Sequence, residues 1–232
     1  MVGRIAKVLL TTAVMALAVA TEGSAASPIH FSVSGMIGGT SSEVAATGLM
    51  ADYFAPTART EATRSLRGGV ECEALLWKWL GVSLGARYQQ AGQHTRTTTV
   101  LYADDVFPHE FTSSIRMDYV AVPLCLKAGI SAKRGWILAR AGVSPAYLLH
   151  SKAAWTIDGV RVEPGTMRMP DVRIDTYDMS LIVGAEAGIR LRNNGVFALV
   201  QYDRGVHNIA SGLSGKAYNR SAGFCAGYRR FF

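Results

Sequence analysis

From Tyr177 to Arg192 the side chains change character residue by residue. Met179, Leu181, Val183, Ala185, Ala187, Ile189 and Leu191 share one face. Ser180, Gly184, Glu186, Gly188, Arg190 and Arg192 share the other, and Ile182 is the one interruption. A period of two belongs to a β-strand, whose successive side chains point to opposite faces. The same rule separates Leu80, Val82, Leu84, Ala86 and Tyr88 from Gly81, Ser83, Gly85, Arg87 and Gln89. It also separates Leu66, Val70, Cys72, Ala74 and Leu76 from Arg67, Glu71 and Glu73. Alternation of this kind fits a soluble sheet with one wet face. It fits equally a barrel that turns its apolar face to lipid.

The spacing of the strands separates these two readings. Strand-like segments are expected at 29–39, 65–76, 80–89, 114–128, 136–149, 177–192, 196–205 and 219–232. The connections at 77–79, 129–135 and 193–195 are short, whereas 40–64, 90–113, 150–176 and 206–218 are long and polar. Long and short alternate strictly, as in a membrane barrel with tight turns on one side and surface loops on the other. Each segment is near the ~9–11 residues that a tilted strand needs to cross a bilayer. The predicted fold is therefore all-β, an eight-stranded antiparallel up-and-down transmembrane β-barrel with both termini on the short-turn side.

Finer features carry further expectations. Asn193-Asn194-Gly195 reads as a tight turn, because Asn and Gly tolerate positive φ. Trp77, Trp79 and Trp136 beside the short turns, with Phe231 and Phe232 at the end, are expected to form an aromatic belt. Tyr88, Tyr147 and Tyr202 would form the opposite one. Pro123 and Pro145 lie inside adjacent strands, and proline removes a ladder donor, so a local bulge is expected at each.

The first residues read as a secretory signal peptide. Arg4 and Lys7 precede the apolar stretch 8–20, and Gly23-Ser24-Ala25-Ala26-Ser27 supplies small residues for cleavage. Residues 1–25 are expected to be removed, leaving 26–232 as one barrel domain in the outer membrane of a Gram-negative bacterium. Losing Arg4, Lys7 and Glu22 takes 24 basic and 17 acidic side chains to 22 and 16, a balance of +6. The basic residues are scattered without interleaved aromatics, which argues against nucleic acid as a partner. Cys72, Cys125 and Cys225 have no regular spacing, so no disulfide framework and no zinc site are expected. Alternation places Cys72 toward lipid and the other two inward.

Three segments go beyond a generic barrel. They are Met117-Asp118-Tyr119-Val120-Ala121-Val122-Pro123-Leu124-Cys125-Leu126-Lys127, Ala141-Gly142-Val143-Ser144-Pro145-Ala146-Tyr147 and Val200-Gln201-Tyr202-Asp203-Arg204-Gly205-Val206-His207-Asn208. Together they resemble strands of the PorT-like outer-membrane β-barrel family. Ala121 and Arg230 depart from that family's usual residues. The resemblance implies a small eight-stranded barrel and does not by itself imply secretion.

In that register the interior holds Glu71, Glu73, Arg67, Arg87, Lys127, Arg140, Glu186 and Arg190. Eight strands leave a lumen that side chains fill, so these residues read as an ion-pair plug rather than a conducting path. Glu186 is expected to pair with Arg140 or Arg190. A lipid A-modifying enzyme would need a nucleophile–base set. His150-Ser151 are adjacent and face opposite ways, His30 and Ser32 lie at the turn end, and His207 and Ser211 lie in a loop. Asp104-Asp105 and Asp171…Asp175 match no calcium-loop spacing. No cofactor and no metal is expected.

The function expected is that of an outer-membrane barrel with a structural or surface-interaction role, not an enzyme. A secretion or assembly component, a lipid A-modifying enzyme and a narrow channel are the alternatives. Expected partners are outer-membrane lipid and lipopolysaccharide, the barrel assembly machinery through the C-terminal strand, and a secretion or surface partner. Arg59, Arg64, Arg96, Lys152 and Arg168 are the loop cations suited to acidic lipid sugars.

Overall fold

The computed structural model describes residues 30–48, 59–77, 79–97, 100–102, 105–107, 110–132, 134–162, 173–211 and 215–232. The segment read as a signal peptide lies outside them. Eight strands form the wall: β1 (His30–Gly48), β2 (Arg59–Trp77), β3 (Leu80–Thr97), β4 in two runs (Phe111–Ala121 and Leu124–Ala132), β5 (Gly135–Ile157), β6 (Tyr177–Leu191), β7 (Asn194–Gly205) and β8 (Gly215–Phe231). Each strand pairs antiparallel with the next, and β8 pairs back onto β1, with Ser32 facing Phe231. The sheet is closed and has no free edge, as the alternation and loop sorting predict.

The two runs of β4 are one strand. Ala121 faces Arg87 and Ala146, and Leu124 faces Leu84 and Val143. Each strand advances three residues across the gap, so no residue is inserted, and the expected bulge at Pro123 is absent. Proline simply removes one ladder donor, while Gly85 N donates to Pro123 O at 3.0 Å and Val122 N to Pro145 O at 2.9 Å. Pro145 also stays in register, opposite Met179. The bulge lies four residues on. Asp118 faces His150 and Tyr119 faces Leu148, leaving Leu149 as the extra residue.

The strands are longer than the sequence reading placed them. β1 and β2 continue to Gly48 and from Arg59, and β5 runs to Ile157. Polarity marked where an apolar surround ends, but backbone pairing continues past that level, because a ladder is satisfied whatever its side chains face. The hairpin after β5 closes through Asp158 (φ 49°) and Gly159 (φ 79°), both left-handed as a type I′ turn requires. The β6–β7 turn falls on Arg192 and Asn193, with Leu191 facing Asn194, so it starts one residue before the Asn193-Asn194-Gly195 signal and shares only Asn193 with it. Gly195 serves another purpose. A Cβ there would lie 2.6 Å from the Trp136 ring, and one on Gly188 would lie 2.2 Å from it. Both glycines make room for an indole inside the barrel.

The two faces of the wall differ as the alternation predicts. Ile130, Ile137, Val183, Ile189, Val200 and Phe224 are each more than half exposed on the outside. An aliphatic side chain left in water forgoes about 1.5–3 kcal/mol of burial. A continuous outer surface of such residues far exceeds the patches that soluble monomers expose. Charge is on the inside, which is the construction of a transmembrane β-barrel.

Candidate functional site

The lumen is packed with charge. Glu71, Glu73, Asp178, Glu186 and Asp203 are buried there with Arg67, Arg87, Lys127, Arg140 and Arg229. Five acids meet five bases, so the formal charges cancel. The strand pleat dictates this placing, since each of these residues falls on the polar phase of its strand.

Lys127 on β4 is the centre of the lower tier and is fully buried. Its ammonium contacts Glu71, Glu73 Oε2 at 2.6 Å and Glu186 Oε2 at 3.2 Å. Arg140 Nη2 on β5 reaches Glu71 Oε2 at 2.8 Å and Cys125 Sγ at 3.2 Å. Arg229 Nη2 on β8 lies 3.1 Å from Glu73 Oε2 and 2.6 Å from Glu186 Oε1. The Trp136 indole donates to Glu186 Oε1 at 2.6 Å. Three carboxylates and three cations from five strands thus form one lattice across the lumen. Glu71, Glu73 and Glu186 offer oxygens within 4.8 Å of one another, a grouping suited to a metal ion. Lys127 supplies the positive charge at that point.

A second tier lies nearer the loops. Arg67 pairs with Asp203 and donates to Ser221 Oγ at 3.0 Å. Arg87 Nη2 stands 4.0 Å from Asp203 Oδ1, and Gln201 donates to the same carboxylate. Apolar groups close both ends. Trp136, Leu138, Phe197, Leu199 and Cys225 pack together at the turn end, with Met36 and Phe231 against them. At the loop end Met117, Tyr119, Ala121, Ala146, Ile209 and Ala217 do the same. Beside that cap Asn219 donates to Asp178 Oδ2 at 2.7 Å and to Tyr119 Oη at 3.2 Å.

The structure brings Glu71, Glu73, Lys127, Arg140 and Glu186 into one lattice, with Arg87 in the tier above. It does not bring in Arg190. That guanidinium lies 3.9 Å over the Phe231 ring at the turn end. Glu186 therefore pairs with neither arginine expected of it. Arg140 sits opposite Gly184 rather than Glu186 and extends to β2 instead. Arg229 and Asp203 complete the lattice and were missed. Alternation does contain them: Arg229 shares the face of Cys225, and Asp203 shares that of Gln201. Trp136 also departs from expectation. It is buried inside the lumen rather than set in an outer belt, whereas Trp79 and Phe232 are exposed. The side chain of Trp77 lies outside the described residues.

The other candidates stay apart. His150 faces Asp118 across β4 and β5, and Ser151 faces Met117. His207 Nε2 is 3.8 Å from Asp175 Oδ2, half exposed at the loop end. His30 begins β1. Asp104, Asp171 and the side chain of Ser211 fall outside the described residues. Cys72, Cys125 and Cys225 are free thiols.

No protein-family model and no curated protein matches the chain. Among solved structures it is similar to Ail, the attachment invasion locus protein of Yersinia pestis, at 16% identity over 85% of this chain and 97% of Ail, with a TM-score of 0.38. It is similar to the outer membrane protein OprG from Pseudomonas aeruginosa at 12% identity over 88% and 95% of the two chains, with a TM-score of 0.46. It is also similar to Neisserial surface protein A at 10% identity over 90% and 100%, with a TM-score of 0.33. The barrel class stands on this chain's own strand pairing and on its inverted polarity.

Proposed function

We propose that this chain is an outer-membrane β-barrel protein of a Gram-negative bacterium, with a plugged interior and a structural or surface-interaction role. The single observation that carries this is the two tiers of nine paired, buried charges between two apolar caps. A conducting path needs hydrated groups and an opening, whereas here the lumen charges face one another. The resemblance to PorT-like barrels supports the same small architecture. Export by the N-terminal segment, and recognition of β8 by the barrel assembly machinery, belong to this proposal.

A role at the cell surface is supported by the height of the wall. β1, β2, β3 and β5 rise well past the apolar band and carry exposed cations such as Arg64 and Lys152. Acidic sugars of lipopolysaccharide suit them by charge. Arg96 is less suited, because Glu110 already holds it at 2.7 Å. The test has two arms. Membrane fractionation with a heat-modifiability gel should show a folded form that migrates faster than the boiled one. Planar-bilayer recording should show no steady conductance; an open channel would overturn the plugged reading.

A further inference from the structure

Four short segments make up the turn end: 77–81, 131–136, 190–195 and 228–232. They hold seven Lys or Arg residues and no Asp or Glu. Two of the seven are engaged, Arg229 in the lattice and Arg190 over Phe231, while Lys78 and Lys133 lie outside the described residues. Arg134, Arg192 and Arg230 are exposed. Among the described residues none of these three forms an ion pair. Arg230 donates only to a neutral amide, Asn194 Oδ1, at 3.0 Å.

The pairing sets these three on one sector of the turn end, spread from β5 to β8. Arg190 N donates to Arg134 O at 2.9 Å, which joins the β4–β5 turn to β6. Asn194, at the far side of the Arg192 turn, faces Arg230 on β8. Directly above them the outer wall is indented. An open groove of about 700 Å³ is lined by Ile130, Ile137, Ile189 and Val196, with Ala187 and Ala198 among them and Arg134 at its rim. The register explains the hollow. Ile137 faces Ala187, and Ala187 faces Ala198, so one lateral row falls from a branched side chain to two methyl groups.

An apolar groove under a row of unpaired cations matches one kind of molecule: an acyl chain that carries a phosphate. We infer that this face binds an anionic phospholipid of the leaflet around the turns, its chain in the groove and its headgroup at Arg134, Arg192 and Arg230. The inference rests on the transmembrane reading. A cation near an anionic lipid surface contributes about 1 kcal/mol, which is about fivefold in retention per arginine.

The test is native mass spectrometry of protein released from vesicles of equal phosphatidylglycerol and phosphatidylcholine. The wild type should retain phosphatidylglycerol preferentially. A variant combining Arg134→Gln, Arg192→Gln and Arg230→Gln should retain both lipids equally. The corresponding lysine variant should keep the preference, and so should Arg64→Gln with Lys152→Gln at the loop end. Equal retention by the wild type, or an undiminished preference in the glutamine variant, overturns the inference. Heat-modifiability in pure phosphatidylcholine vesicles is measured alongside. Failure to insert there sinks the membrane reading, and insertion without lipid preference sinks this inference alone.

Discussion

Lys127→Ala removes the central cation of the lower tier. In the wild type Glu71, Glu73 and Glu186 are balanced by Lys127, Arg140 and Arg229. In the variant three buried carboxylates share two guanidiniums. Breaking a buried pair by deleting one partner costs about 3–5 kcal/mol, because the other charge stays behind. For a domain of this size about 1 kcal/mol moves the melting temperature by about 2–4 °C, so the expected loss is on the order of 6–20 °C. The assay is the temperature at which vesicle-embedded barrel converts to the slow-migrating form. A second arm uses the vacated position. The three carboxylates offer oxygens within 4.8 Å of one another, and hard divalent cations bind such oxygens. Refolding Lys127→Ala with calcium or manganese should restore part of the loss, about 2.7 kcal/mol at a hundredfold excess over the dissociation constant. The wild type should not respond. A variant that melts within a few degrees of the wild type refutes the reasoning, since it would mean that Lys127 neutralises nothing the barrel needs. Equal stabilisation of both proteins by the cation would place its binding elsewhere.

Glu186→Gln removes the negative charge shared by Lys127 and Arg229 and replaces one accepting oxygen with a donor, and it should lower stability by about 3–5 kcal/mol in the same gel assay, with conductance unchanged. Arg190→Gln should cost no more than about 1 kcal/mol, because it loses a ring contact and no ion pair; a loss as large as that of Glu186→Gln would put Arg190 back in the lattice. Gly188→Ala sets a methyl group against the Trp136 ring and should destabilise by about 1–3 kcal/mol, measured by the same transition. Mass spectrometry should give one mass before and after reduction, because all three thiols are free.

The sequence made the faces legible and left their partners obscure. A strand's period of two is local, so Glu71, Glu73, Arg87, Lys127 and Glu186 could be placed inward one strand at a time. Which inward groups meet depends on stagger between strands and on contacts across the lumen, and neither is written in a single segment. Arg140 shows this: it lies next to β6 yet pairs with β2. Trp136 was misread for a related reason. Next to a turn, an aromatic suits an interface belt, but Gly188 and Gly195 on neighbouring strands open a space inside for its ring. In the sequence Gly188 reads only as a member of the polar face of its strand and Gly195 only as a turn signal. Strand ends were misplaced because composition reports what the side chains face, whereas the ladder needs only backbone.

The lattice also ties the closing of the barrel to the filling of its interior. Backbone ladders join neighbours, but Glu71 and Glu73 on β2 are bound through Lys127 on β4 to Glu186 on β6, and Arg229 comes from β8. In an open sheet each of these charges is hydrated and needs no partner. Once β8 pairs with β1, Arg229 is brought beside Glu73 and Glu186 inside the closed wall. Without β8, Glu73 and Glu186 would share Lys127 alone, leaving excess negative charge in a narrowing lumen. Arg229 on the last strand therefore supplies the cation that offsets Glu73 and Glu186 once the barrel is closed. That couples the buried charge to the closing of the barrel itself.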